Sequence, residues 1–249
     1  MNSSRLRAFA ILLFGVAACA NGASEPSGPH AKRILFIGNS FTYTNNLPEM
    51  VGALATQAGV NDLYIESVTF GGVSLEDHWN EGTARARLAD ATWDLVIMQQ
   101  GPSSQPDSRV LLMEYAQRFN TEIRAAGARP AFFMVWPDIT RQGDFDGVSR
   151  NYRAAADSTD GMLFPGGEAW RAVWRRDPVI DLYSPDGLHP TPLGTYVVAL
   201  VMTGQITGKA IVGMPHDFSV NGMEIRIAPG VARLVQEAAA EAVRDHGRR

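Results

Sequence analysis

Cysteine is almost absent: Cys19 is the only one in 249 residues. One thiol cannot close an internal disulfide or complete a cysteine-based zinc site, so stability must come from packing. Basic charge is also scarce. Lys and Arg number 22 against 26 Asp and Glu, for a formal net charge of -4. That balance argues against a nucleic-acid binder, which needs a basic surface to displace counterions. The apolar run near the N-terminus, Ala8 to Ala17, is too short to span a bilayer. No H-E-x-x-H pair offers a zinc site, and no G-x-S-x-G elbow marks the common α/β-hydrolase nucleophile. What remains is a chain 45% hydrophobic and 19% charged, with ample length for a core.

The N-terminus reads as an export signal. Arg5 and Arg7 precede the apolar run, which ends in Val16-Ala17-Ala18-Cys19. This resembles a bacterial lipobox, in which the cysteine is lipidated and becomes the first mature residue. Ordinary cleavage after Ala18-Cys19-Ala20 also satisfies the small-x-small rule and stays open. The expected organisation is a signal peptide over 1–18, a flexible tether over 19–31 and one domain over 32–249. The tether, NGASEPSGPH from Asn21 to His30, is small, polar and rich in Pro and Gly. The expected location is exported: an outer-membrane-anchored or periplasm-facing lipoprotein, because Ala20 rather than Asp follows the cysteine. A soluble secreted protein is the alternative. Membrane contact is expected only through the lipid anchor.

From Lys32 onward, apolar runs alternate with helical spacing. Strands are predicted at Arg33–Gly38, Leu63–Phe70, Asp94–Gln99, Pro130–Trp136 and Met162–Phe164. Helices are predicted at Leu47–Ala58, Thr83–Asp90, Asp107–Ala126, Val148–Ser158, Glu168–Arg176, Leu193–Thr203 and Val231 to about Arg244. Strands that are apolar throughout are covered on both faces. The expected fold class is therefore α/β: a three-layer α/β/α arrangement around a parallel, flavodoxin-like sheet of about five strands. Reactive groups in such sheets collect at the carboxyl ends of the strands.

Gly38-Asn39-Ser40 follows the first strand. A serine on a tight strand-to-helix turn exposes its hydroxyl beside helix N–H groups, although helix capping is the commoner role for such a serine. A hydroxyl nucleophile needs a base, and the base needs a group to fix its tautomer. Among the five histidines, only His189 sits in a Pro- and Gly-shaped loop with a spaced acid, Asp186-Gly187-Leu188-His189-Pro190. His78, after Glu76-Asp77, reads as a helix-surface residue.

With these residues in place, the chain resembles the SGNH (GDSL-type) hydrolases. Four short blocks carry the likeness: Gly38-Asn39-Ser40, Gly71-Gly72-Val73-Ser74, Gln99-Gln100-Gly101 and Asp186 to His189. They run in the family's order over roughly Arg33 to Pro215. The resemblance implies a catalytic set of Ser40, Asp186 and His189, and an oxyanion hole from Ser40, Gly72 and an amide side chain. Two departures stand out. The GDS triplet reads GNS, and the usual Gly-x-Asn-Asp block is replaced by Met98-Gln99-Gln100-Gly101-Pro102-Ser103-Ser104. A Gln amide can supply the missing N–H. Gln99 and Gln100 are both candidates, with Ser103 as a further donor.

Other features are weaker. Asp144-Phe145-Asp146-Gly147 lacks the EF-hand glycine and glutamate and reads as a polar loop. Trp136 is expected to line the pocket, and Trp79, Trp93, Trp170 and Trp174 to pack. No cofactor and no metal are implied. The expected activity is a serine esterase acting on short acyl groups, acetyl above all, of small-molecule or glycan esters. A lysophospholipase or thioesterase is the alternative enzyme. A non-catalytic carbohydrate-binding envelope lipoprotein is the alternative outside enzymes.

Overall fold

The computed structural model describes residues 32–248. The expected signal peptide and tether, with Cys19, lie outside the described residues. The elements, in chain order, are β1 (Lys32–Gly38), α1 (Ser40–Tyr43), α2 (Leu47–Gln57), β2 (Leu63–Thr69), α3 (Leu75–Glu81), α4 (Thr83–Asp90) and β3 (Leu95–Met98). There follow α5 (Pro106–Ala125), β4 (Arg129–Phe133), α6 (Phe145–Ser158), β5 (Met162–Phe164), α7 (Gly166–Arg176) and α8 (Pro192–Thr207). A hairpin of β6 (Asp217–Val220) and β7 (Met223–Arg226) precedes α9 (Pro229–His246).

Five strands form one sheet in the order β2-β1-β3-β4-β5, and every pairing is parallel. Helices flank this sheet, giving the three-layer α/β/α fold. β3 is buried along its whole length, as its apolar sequence requires. β2 is an edge strand and carries polar groups: Glu66 pairs with Arg87 of α4 and accepts from the Tyr64 hydroxyl. The order reverses between β1 and β3. Their carboxyl ends therefore diverge around a crevice, the place where open parallel sheets hold their ligands.

Differences from the sequence reading have local causes. β4 stops at Phe133, because Met134 to Trp136 leave the ladder while staying fully buried. α3 is a helix the apolar periodicity did not show, since only Leu75 and His78 face the interior. Its start is set by a capping box, in which Ser74 Oγ accepts from the Asp77 backbone N–H and the Asp77 carboxylate accepts from the Ser74 N–H. The stretch after α8, where no element is predicted, holds the β6–β7 hairpin. Its two-residue turn is Asn221-Gly222 with both φ positive, the geometry that matches strand twist. Asp144 to Gly147 is not a loop: Phe145 opens α6, and Asp144 and Asp146 pair with Arg141 and Arg171.

Candidate active site

Ser40, Gly71-Gly72 and Gln99-Gln100 gather at the crevice because each follows a strand, while Asp186 and His189 lie on the loop between α7 and α8. β1 runs straight into α1, so Ser40 begins a helix at the strand's end. Asn39 caps that helix, accepting the Phe41 N–H on Oδ1 at 3.1 Å. Capping thus belongs to Asn39, and Ser40 Oγ does not perform it. The other end of the Asn39 amide donates to the Val73 carbonyl at 2.8 Å. This ties the Ser40 turn to the loop carrying Gly71 and Gly72. An aspartate could not make that second bond, which accounts physically for GNS in place of GDS.

Gln99 lies beneath the turn. Its Oε1 accepts from the Asn39 N–H at 2.9 Å and from the Thr42 hydroxyl at 2.8 Å. Its Nε2 donates to the Gln100 carbonyl at 2.7 Å. Gly38 is required for this approach: a Cβ there would stand 2.3 Å from Thr42 Oγ1 and 2.6 Å from Gln99 Oε1. Gln100 also faces inward. Its Oε1 accepts from Leu75 N–H at 3.2 Å, and its Nε2 donates to Ser103 Oγ at 2.9 Å and Ser108 O at 3.1 Å. Ser103 Oγ donates to Gly101 O at 2.9 Å. The sequence reading placed one of these side chains at the oxyanion. In the structure Gln99, Gln100 and Ser103 are buried framework groups, and both Gln100 amide hydrogens are committed.

Gly72 holds a φ of +73°, a conformation that favours glycine, and the place of its absent Cβ is open space. Its backbone therefore has nothing of its own to shield it from a ligand. Gly71 lies beneath the Tyr43 hydroxyl, 3.3 Å from where a Cβ would stand.

On the opposite side, Asp186 and His189 share a tight turn. His189 Nδ1 lies 2.6 Å from Asp186 Oδ2, while Asp186 Oδ1 accepts the Leu188 and His189 N–H groups at 2.9 Å each. The bond from the His189 ring is the largest cause, and the two backbone donors add to it: together they hold the Asp186 carboxyl down at about 2. A carboxylate accepting at Nδ1 keeps Nε2 free to act as a base.

Two contacts bring this turn to Ser40. The ring of Phe41 lies 6.1 Å from that of His189. Asn45 Nδ2 donates to the Pro190 carbonyl and to Thr195 Oγ1, each at 2.9 Å. Asn45 and Asn46 both adopt φ of 54°, a left-handed pair that turns the chain back toward the His189 loop. Among the described residues no hydrogen bond joins Ser40 Oγ to His189. Such catalytic bonds are often open without substrate.

Sequence reasoning did not find Asn45 or the role of His78. The successive Asn residues were a usable signal, since Asn tolerates left-handed backbone better than most residues. His78 is not on a helix surface but fully buried. Its Nε2 donates to the Gly38 carbonyl at 2.8 Å, which fixes the tautomer, and burial holds its imidazole below the usual range. Trp136 does not line the cleft. It is fully buried, stacks on Trp170, meets Phe41 edge-on and donates from Nε1 to Leu188 O at 3.0 Å, so it supports the His189 loop from behind. A cavity of about 1010 Å³ between α4 and α5 lies at the amino ends of the strands, away from this site. Among the described residues no cluster of three or more His, Cys, Asp or Glu side chains is placed to hold a metal ion.

No family model and no curated protein matches the sequence. Solved structures do match. A protein from Slackia heliotrinireducens, assigned to the SGNH hydrolases, is 27% identical with a TM-score of 0.61, over 71% of this chain and 100% of that one. A DUF4886 family protein from Bacteroides uniformis is 21% identical with a TM-score of 0.67, over 86% of this chain and 95% of its own. An acetylxylan esterase from Geobacillus stearothermophilus is 15% identical with a TM-score of 0.53, over 71% and 94%. At these lower identities the last two establish likeness of fold.

Proposed function

We propose that this chain is an SGNH-type serine esterase removing short acyl groups, acetyl above all, from glycans, a reading supported by its 27% identity to the SGNH hydrolase from Slackia heliotrinireducens. The observation that carries the mechanism is the Asp186–His189 pair, bonded at 2.6 Å on a loop tied to the Ser40 helix through Asn45.

In the proposed reaction His189 Nε2 takes the Ser40 hydroxyl proton while Asp186 fixes the ring and stabilises the imidazolium. Ser40 Oγ attacks the ester carbonyl. The backbone N–H groups of Ser40 and Gly72 bond the oxyanion. His189 returns its proton to the departing alcohol, leaving an acyl-serine. Water, deprotonated by His189, then attacks that ester, and the acid leaves as Ser40 regains its proton. In this scheme Gln99 positions the Ser40 turn, Gln100 holds the start of α3, and neither touches the oxyanion.

The glycan acetyl preference is supported by neighbours that include acetylxylan esterases and by the lipobox-like Val16 to Cys19, which suits an envelope enzyme. Ser40→Ala tests the assignment. It should abolish fluorophosphonate labelling and lower p-nitrophenyl acetate turnover by roughly 10³-fold or more. Native turnover in that variant would overturn it. Anchoring through Cys19 has its own test: the mass of the mature N-terminus should show a diacylated or triacylated cysteine, and an unmodified start at Ala20 or Asn21 would contradict it.

A further inference from the structure

The surface beside the nucleophile carries an unusual pair of side chains. Among the described residues the exposed large apolar groups are Tyr43, Phe70, Val110, Ile139, Val179 and Val212, and only the first two are aromatic. Both flank the site. Tyr43 closes α1, the helix that Ser40 opens. Phe70 leads into Gly71-Gly72, and its backbone N–H donates to the Gly38 carbonyl at 3.3 Å. The Tyr43 hydroxyl lies over Gly71, the residue after Phe70, 3.3 Å from where a Cβ would stand.

Phe70 has a packing partner, and Tyr43 stands on a fixed backbone. Phe70 packs against the buried His78 ring at 5.5 Å, and that imidazole is itself bonded to Gly38. Tyr43 sits on a helix capped and clamped by Asn39 and Gln99. Large apolar side chains left exposed and fixed at a catalytic mouth mark a binding surface. Their partner must have one flat apolar face and polar edges, because the rings are open to water on the outer side. A pyranose has that form: axial C–H groups on a face, hydroxyls around the rim. An acyl chain needs an enclosed apolar slot instead.

Resting on the esterase reading above, we propose that Tyr43 and Phe70 form an aromatic platform that stacks on the sugar ring bearing the acyl group, so that the substrate class is an acylated saccharide.

The test compares an acetylated xylo-oligosaccharide, p-nitrophenyl acetate and p-nitrophenyl octanoate on the full mature chain. Both residues are exposed, so Tyr43→Ala and Phe70→Ala should fold. Each should raise KM for the oligosaccharide about tenfold with kcat changed far less, and so lower its kcat/KM more than that of p-nitrophenyl acetate. Tyr43→Phe and Phe70→Trp should restore the low KM. Equal losses on both acetates would show a structural role and overturn the proposal. Selective loss on the octanoate would assign the platform to an acyl chain and also overturn it. If native enzyme deacetylates the oligosaccharide but the alanine variants keep its KM, the platform fails and the esterase reading stands. If native enzyme cleaves p-nitrophenyl acetate but no sugar acetate, the saccharide class fails with it.

Discussion

Gln99 holds the nucleophile turn by its backbone: the Asn39 N–H, one residue before Ser40, donates to Gln99 Oε1 at 2.9 Å. The same oxygen takes the Thr42 hydroxyl at 2.8 Å, so one side chain from the end of β3 fixes both sides of Ser40. Because a backbone N–H can only donate, the amide orientation is set, and Nε2 is directed to Gln100 O. Gln99 is therefore a positioning group for the serine.

Gln99→Ala follows directly. It leaves a buried N–H and a buried hydroxyl without their acceptor, and each unsatisfied group costs about 1–3 kcal/mol. The urea midpoint should fall with the m-value unchanged, and kcat should fall with it as the turn loosens. A variant with native stability would show that the turn holds without this acceptor.

Asn39→Asp restores the family's GDS triplet and should harm this chain. The capping bond to Phe41 survives, but a carboxylate oxygen replaces the amide that donates to Val73 O at 2.8 Å. Burial and the facing carbonyl both raise the pKa of the introduced carboxyl. A raised folded-state value means the lost stability returns as pH falls and the group protonates. Thermal melts should thus show the variant weakest relative to the native chain near pH 8, with the gap narrowing toward pH 4. A gap independent of pH would rule out this account.

The sheet was legible because its inner strands are apolar on both faces, so runs such as Ile34 to Ile37 and Leu95 to Met98 carry the fold in their composition. The Asp186–His189 pairing was legible because turn chemistry surrounds it. The orientation of Gln99 and Gln100 was not. Both follow a strand, and which way an amide faces depends on partners such as Asn39, Leu75 and Ser108, distant in sequence. His78 was misplaced for a similar reason. Its neighbours Glu76 and Asp77 are polar, and only the tertiary approach of Gly38 shows that the ring turns inward. Asn221-Gly222 was readable as a hairpin turn, but β6 is exposed at alternate positions and is too short to announce itself.

Acid should release the His189 loop late. Asp186 is held at about 2 by His189 and two backbone N–H groups, against an ordinary value near 3.8. A depressed folded-state pKa stabilises above the unfolded value and is lost as pH falls through the folded one. The stability difference between the native chain and Asp186→Asn should be present at pH 5, shrink below about pH 4 and be gone near pH 2. Asp186→Asn should also lower kcat by about 10⁴-fold at neutral pH, since an amide cannot enforce the tautomer. A stability difference that persists unchanged at pH 2 would sink the linkage.

Gly38 and Gly72 flank the site for opposite reasons, and alanine separates them. At Gly38 a Cβ would lie 2.3 Å from Thr42 Oγ1 and 2.6 Å from Gln99 Oε1, so the clamp itself must open. Gly38→Ala should destabilise by about 3 kcal/mol or more, the upper end of overpacking. At Gly72 the Cβ meets nothing within 4 Å, and only the φ of +73° resists it. Gly72→Ala should cost about 1 kcal/mol of stability. In the proposed mechanism the new methyl crowds the approach of the oxyanion to the Gly72 N–H. Loss of one such donor lowers kcat by about 10²–10³-fold. Folded Gly72→Ala enzyme that still labels at Ser40 but turns over slowly would place Gly72 in the oxyanion hole. Folded enzyme with native kcat would reduce it to a former of the turn.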